Sequence, residues 1–305
     1  MNEAPLRSQE PRAKSQEPTL GYVKALDGSP LYAVYHPVAS EDAAMAVPVA
    51  IAPSLFEERK SAYGPLRRLA ERLAAAGHPV LRFDYRGSGE SGGHPARRRW
   101  QHLVEDVTIA RQTLAELSGR TGCVLLGLRL GATLALQQGG AVGVEGVIAL
   151  APVVKGATQV RLWKMRSKIR AELTETRAGA PSRPGSSRRD DARALAASSN
   201  GEPKLPAADV IDFDGYEVSP AFFDDVAALD LLTELRPLSK PGCLIQISHR
   251  ADAAPESTQL LGVLGQSAKL EALRMEPFWD KLDDIDTRPL EDLVLQTCRT
   301  LKDAK

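Results

Sequence analysis

The segment Val124-Leu-Leu-Gly-Leu-Arg-Leu-Gly-Ala-Thr-Leu-Ala135 constrains this chain more than any other. An apolar run meets Gly127, turns within four residues to Gly131, and continues in small residues suited to a buried helix. That pattern describes a strand reversing sharply into a helix, with glycines where backbones crowd. In the G-x-S-x-G form of such a turn, strain lifts a hydroxyl above the sheet edge. Here the central residue is Arg129, whose guanidinium stays protonated and cannot attack a carbonyl carbon. The turn is kept and its attacking atom is absent.

A fold that holds such a turn needs further strands beside it, and the chain supplies them. Short apolar runs recur at Pro48–Ala52, Pro79–Asp84, Gly122–Leu126, Val147–Leu150 and Gly242–Ile247, and Leu270–Arg274 reads as a last strand. Helical stripes separate them: Leu66, Leu69, Ala70, Leu73 and Ala74 after a candidate N-cap at Ser61; Trp100, Leu103, Val104, Val107, Leu114 and Leu117 from Arg97; and Leu290, Leu293, Val294 and Leu301 near the end. Alternation of this kind predicts an α/β fold, a doubly wound and mostly parallel sheet with right-handed crossovers. The 305 residues suit one such domain over residues 20–305 carrying an insertion over 155–222. Residues 1–19 and 176–206, rich in Pro, Ser, Gly and charge, read as a disordered tail and a disordered stretch of that insertion.

Bulk chemistry narrows the function classes. The 39 basic and 39 acidic residues cancel, which argues against a nucleic-acid or polybasic membrane-surface role. Cys123, Cys243 and Cys298 sit far apart in apolar segments and read as free core thiols in a reducing compartment. The polar N-terminus lacks an apolar leader and no run reaches the length of a membrane span, so a cytoplasmic location is expected. The histidines at 36, 78, 94, 102 and 249 show no ligand spacing and the cysteines form no C-x-x-C pair, so neither metal nor cofactor is expected.

Two further motifs stand in order before the turn: Ala52-Pro-Ser-Leu-Phe-Glu-Glu-Arg-Lys60, and Asp84, Arg86, Gly87, Gly89 and Ser91 of a D-x-R-G-x-G-x-S loop. The ordered set resembles the serine-aminopeptidase-like branch of the α/β-hydrolase superfamily. FEERKSAYGPLRRLAERLAAAG, GLRLGATLAL, APVVKG and Gly215–Pro220 leading into Ala227–Leu231 narrow the resemblance towards the hydrolases associated with the exosortase A system. The resemblance implies an α/β-hydrolase fold with a cap insertion and a Ser-His-Asp triad in the order nucleophile, acid, histidine. The elbow position then holds Arg129 and the acid position Asp252. No histidine follows His249, and the place expected for one falls in Arg274–Trp279.

The resemblance also implies backbone N–H groups of Leu55 and Leu130 converging as an oxyanion hole. Arg129, at a helix N-terminus, is a candidate anion anchor, or else forms a structural pair with Glu57, Glu58 or Asp252. Ser54 and His249 complete the candidate ligand-binding set, although each also has a plain structural reading. Ser88, Ser91, Asp84 and Arg86 are expected to tie the Gly-rich loop to the sheet. The expected function is a non-classical or catalytically impaired hydrolase binding a small acyl or anionic molecule. The alternatives are an active ester, amide or thioester hydrolase with an unrecognised nucleophile, and a protein of an exosortase or exopolysaccharide system that meets a protein partner through the cap insertion.

Overall fold

The computed structural model describes residues 17–38, 46–178, 210–250, 252–281 and 285–303. Most of the expected tail and insertion stretch lie outside the described residues. The sheet is built from β1 (Thr19–Lys24), β2 (Pro30–His36), β3 (Val49–Ala52), β4 (Val80–Phe83), β5 (Cys123–Leu128), β6 (Val144–Leu150), β9 (Gly242–Ser248) and β10 (Ala268–Arg274). Between β6 and β9 lies a small antiparallel pair, β7 (Ile211–Phe213) and β8 (Tyr216–Val218). The main sheet runs β1-β2-β4-β3-β5-β6-β9-β10. From β4 to β10 every neighbouring pair is parallel, while β1 and β2 join antiparallel. This is the mostly parallel sheet that the sequence pattern predicts and the α/β-hydrolase fold that the resemblance implies. The β1–β2 hairpin is an addition, because Tyr22, Tyr32 and Tyr35 alternate with smaller or polar residues too irregularly to read as strands.

The helices are α1 (Phe56–Ala75), α2 (Trp100–Ser118), α3 (Leu130–Gln137), α4 (Gly156–Ala178), α5 (Pro220–Ala227), α6 (Leu231–Glu234), α7 (Pro255–Leu264) and α8 (Arg288–Asp303). They cover both faces of the sheet. Alternate residues of the strands point opposite ways, so Val49, Ile51, Val124, Leu126, Ile148 and Ile245 pack with Leu66, Leu69 and Leu73 of α1 and with Leu290, Val294 and Cys298 of α8. Ala50, Ala52, Leu125, Val147 and Leu244 face the other way onto Leu103, Val107 and Leu114 of α2 and onto α3. The three cysteines are free and buried, and burial pushes the Cys123 and Cys298 thiols up to about 12.

Two boundaries differ from the pattern. Ser61 lies inside α1, which begins five residues earlier with Leu55 at its N-cap; the loop after β3 turns directly into helix because Phe56 adopts φ 54. The helix expected from Arg97 begins at Trp100, after a short 3₁₀ turn at Pro95–Arg97 capped by His94. In the insertion, α4 runs on to Ala178, two residues past Thr176, and the β7–β8 pair and α5 follow. Among the described residues no helix is long and apolar enough to cross a membrane.

Candidate functional site

The turn between β5 and α3 is an elbow in the strict geometric sense. Arg129 sits at its apex with φ 56 and ψ −118, a conformation that costs a non-glycine residue of the order of 1–3 kcal/mol. A Cβ on Gly127 would lie 2.1 Å from the Gly131 carbonyl oxygen, and one on Gly131 would lie 2.1 Å from that of Ala52. Backbone meets backbone on both sides, so only glycine fits. The second contact presses the start of α3 against the β3–α1 loop. Leu55 and Leu130, whose N–H groups were expected to converge, are both buried at the starts of α1 and α3. Neither N–H donates to a backbone carbonyl among the described residues.

The Arg129 side chain lies under the cap and is 17% exposed. Its Nη1 donates to the Ala151 carbonyl at 3.0 Å and its Nη2 to Gln159 Oε1 of α4 at 2.7 Å. Its Nε faces Glu58 Oε1 of α1 at 3.5 Å. Gln159 in turn donates from Nε2 to the same Glu58 oxygen at 3.1 Å. The guanidinium also stacks over the Trp279 ring, 5.4 Å from its centroid. Five segments therefore meet at one cation: the elbow, α1, the residue after β6, the cap helix α4 and the loop after β10.

Glu58 is the acid the arginine required, one of three candidates named from the sequence. Burial pushes its carboxyl above the usual range, and Arg129 draws it back. The other two candidates are engaged or placed elsewhere. Glu57 takes Lys60 at 2.8 Å and the Tyr216 hydroxyl at 3.2 Å, while Asp252 is exposed past β9. His249 is likewise exposed, at the end of β9, and it does not line the cavity described below. Ser54 is fully buried on the β3–α1 loop, and its hydroxyl has no hydrogen-bond partner among the described residues, as is true of Glu58 Oε2.

Asp84 and Arg86 anchor their loop to α1 and α2, not to the sheet as expected, while Ser91 Oγ accepts from Tyr32 N–H of β2. Asp84 binds Arg59 at 2.6 Å, Arg86 binds Asp106 at 2.7 Å, and the Ser91 hydroxyl donates to the Asp84 carbonyl at 2.6 Å. Sequence reasoning missed Arg98, which is buried, donates to Gly87 O and Ser88 Oγ, and lies over the Phe56 and Phe222 rings. Burial lowers its ordinarily very high pKa to about 10.

A cavity of about 580 Å³ opens between the start of α1, the cap helix α4, the β7–β8 turn and the loop after β10. Phe56, Trp163, Phe213 and Trp279 form its aromatic walls, with Glu57, Glu58, Arg166, Arg170, Asp214 and Asp280 at its polar positions. Glu57 and Glu58 were named from the sequence, whereas the aromatic walls and the cap-helix arginines were missed. Their signal was present in α4, where Gln159, Trp163, Arg166 and Arg170 recur at i, i+4, i+7 and i+11, one stripe of a helix.

A cap over the C-terminal edge of a doubly wound parallel sheet, above an elbow, defines the α/β-hydrolase architecture. Within it, residues 58–202 match the family model described as serine aminopeptidase, S33. The fold is similar to that of the Pyrococcus furiosus esterase Pf2001, 14% identical, with 98% of this chain and 96% of that one covered and a TM-score of 0.59. Hypothetical protein PA2218 from Pseudomonas aeruginosa is 16% identical, with 98% and 99% covered and a TM-score of 0.61. The esterase domain of a Rhodothermus marinus protein is 16% identical, with 93% and 98% covered and a TM-score of 0.60. No curated protein matches the chain in sequence. The narrower resemblance to exosortase-associated hydrolases rests on the sequence motifs alone.

Proposed function

We propose that this protein is a catalytically impaired α/β-hydrolase that binds a small acyl molecule in the cavity beneath its cap, with Arg129 standing where the family carries its nucleophile. The observation that carries the reading is the closed set of partners around Arg129. Ala151 O, Gln159 Oε1 and Glu58 Oε1 face its three nitrogens, and Trp279 covers the face of the guanidinium. The arginine works as a clasp between elbow and cap. Of the acyl and anionic ligands expected, this arrangement favours the acyl one, because both Nη groups already donate hydrogen bonds and Nε, without a hydrogen bond of its own, faces the Glu58 carboxylate that an anion would have to displace. The aromatic walls suit an acyl body.

The loss of triad chemistry extends to all three positions. Arg129 cannot act as a nucleophile, Asp252 lies exposed past β9, and the loop expected to carry histidine delivers Trp279 onto the clasp. The test is a fluorophosphonate probe together with p-nitrophenyl ester and thioester assays on the purified protein. The expected result is no labelled serine and no turnover above background. A single labelled serine, with Ser54 the first to examine because its buried hydroxyl lacks a partner, would replace this reading with that of an active hydrolase.

A further inference from the structure

Among the described residues, each acidic side chain that lines the cavity has a basic partner. Glu57 is paired with Lys60 at 2.8 Å, Glu58 with Arg129 at 3.5 Å, Asp280 with Arg166 at 2.9 Å, and Asp214 with Arg170 at 3.4 Å. Arg166 and Arg170 are the basic residues in the lining, and both are engaged this way. Between these pairs the surface is aromatic. The four acids of the lining outnumber its two arginines, and Lys60 and Arg129, which stand behind the lining, bring the paired set to neutrality.

A charged ligand entering a partly enclosed aromatic cavity loses hydration and must recover it from an opposite charge. Here every charge it could use is already neutralised, so an ion must first break a pair and strand the other member. An uncharged molecule meets no such obstacle. Building on the acyl-pocket reading, we propose that the one-to-one pairing makes the cavity selective for uncharged acyl or aryl ligands, excluding free acids and free amines, and that Arg166 and Asp280 set this selectivity. Their pair spans the cavity mouth from the cap helix to the loop after β10 and is partly exposed, 48% for Arg166 and 31% for Asp280. Removing either member leaves a single uncompensated charge at the mouth without opening the Arg129 clasp.

Isothermal titration with 1-octanol, octanoate and octylamine tests the proposal, since the three share a chain and differ in head charge. The wild-type protein is expected to bind 1-octanol at least tenfold more tightly than either ion. Asp280→Asn frees Arg166 and should tighten octanoate at least tenfold while leaving octylamine unchanged. Arg166→Gln frees Asp280 and should do the reverse, tightening octylamine. Equal binding of all three by the wild type, or variants that keep wild-type selectivity, would overturn the charge rule while the pocket itself stands. If none of the three binds, the acyl-pocket reading falls and the charge rule with it.

Discussion

Arg129 and Glu58 exert their effect jointly, so the meaningful measurement is their coupling. Each is costly alone: a buried carboxylate without its cation, or a guanidinium without its acid, keeps the desolvation cost and loses the compensation. Glu58→Ala is expected to destabilise the protein by about 3–5 kcal/mol, towards the lower figure because the Arg129 side chain keeps some exposure. Arg129→Ala should also destabilise, and the double variant should lose less than the sum of the two. A coupling of about 1–3 kcal/mol in a urea-unfolding double-mutant cycle is the expected outcome; additivity would show that the 3.5 Å contact contributes nothing beyond packing. Glu58 also leaves a pH signature. Its folded carboxyl is raised above 4.5 by burial, so the folded state holds the proton more tightly than the unfolded one. Stability therefore falls as pH rises above about 4.5 and through the raised value. Glu58→Gln should lack that component, which the pH dependence of the wild-type minus variant difference reveals.

At the scale of elements, the elbow is the least forgiving join. Gly127→Ala would drive a Cβ into the Gly131 carbonyl, and neither strand nor helix can retreat because both are buried on every side. The expected loss is about 4 kcal/mol or more, read as a large fall in Tm or as insoluble expression. Strand β2, between β1 and β4, makes a milder prediction. Buried His36 accepts a hydrogen bond from Arg82 Nε at 3.2 Å, and burial, with the charges of Arg82 and Arg67, holds its pKa down at about 4. The unfolded chain binds that proton near 6.5, so this contribution is intact above pH 6.5 and is lost as pH falls towards about 4. His36→Gln should flatten the acid limb of stability in that window. The elements themselves were largely legible. β3 to β6 and β9 announced themselves as apolar runs, β10 as a last strand, and α1, α2 and α8 as stripes, because each must hide one face or both. The β1–β2 hairpin was not legible, since an antiparallel edge half open to solvent carries a weak and mixed pattern.

Across the whole molecule, the candidate site shows why a sequence discloses its own chemistry unevenly. The elbow was readable because two glycines and an arginine are contiguous. The clasp was not, because Glu58, Arg129, Gln159 and Trp279 come from four segments that only the fold assembles, and a partner list of three acids could not be ranked without it. Asp252 stands at the family's acid position in sequence, with His249 before it and not after it as the family order requires, and both are exposed, since order along the chain fixes neither the direction nor the burial of a loop side chain. The cap's contribution can be measured globally. Trp163 is buried against Phe56, Phe213 and Phe223, and Trp163→Ala is expected to cost about 3–5 kcal/mol by leaving a void beneath α4. A loss below about 1 kcal/mol in chemical unfolding would mean that the cap packs independently of the sheet domain.

The placement of the tryptophans has an optical consequence. The chain contains three, and two of them, Trp163 and Trp279, are cavity walls, while Trp100 is turned aside with its indole donating to Gln137 at 3.1 Å. Trp279 lies under a guanidinium, whose field shifts an excited indole, and Trp163 meets whatever fills the space. Any guest that enters must therefore disturb most of the intrinsic emission of the protein at once, so the site carries its own unlabelled reporter of occupancy.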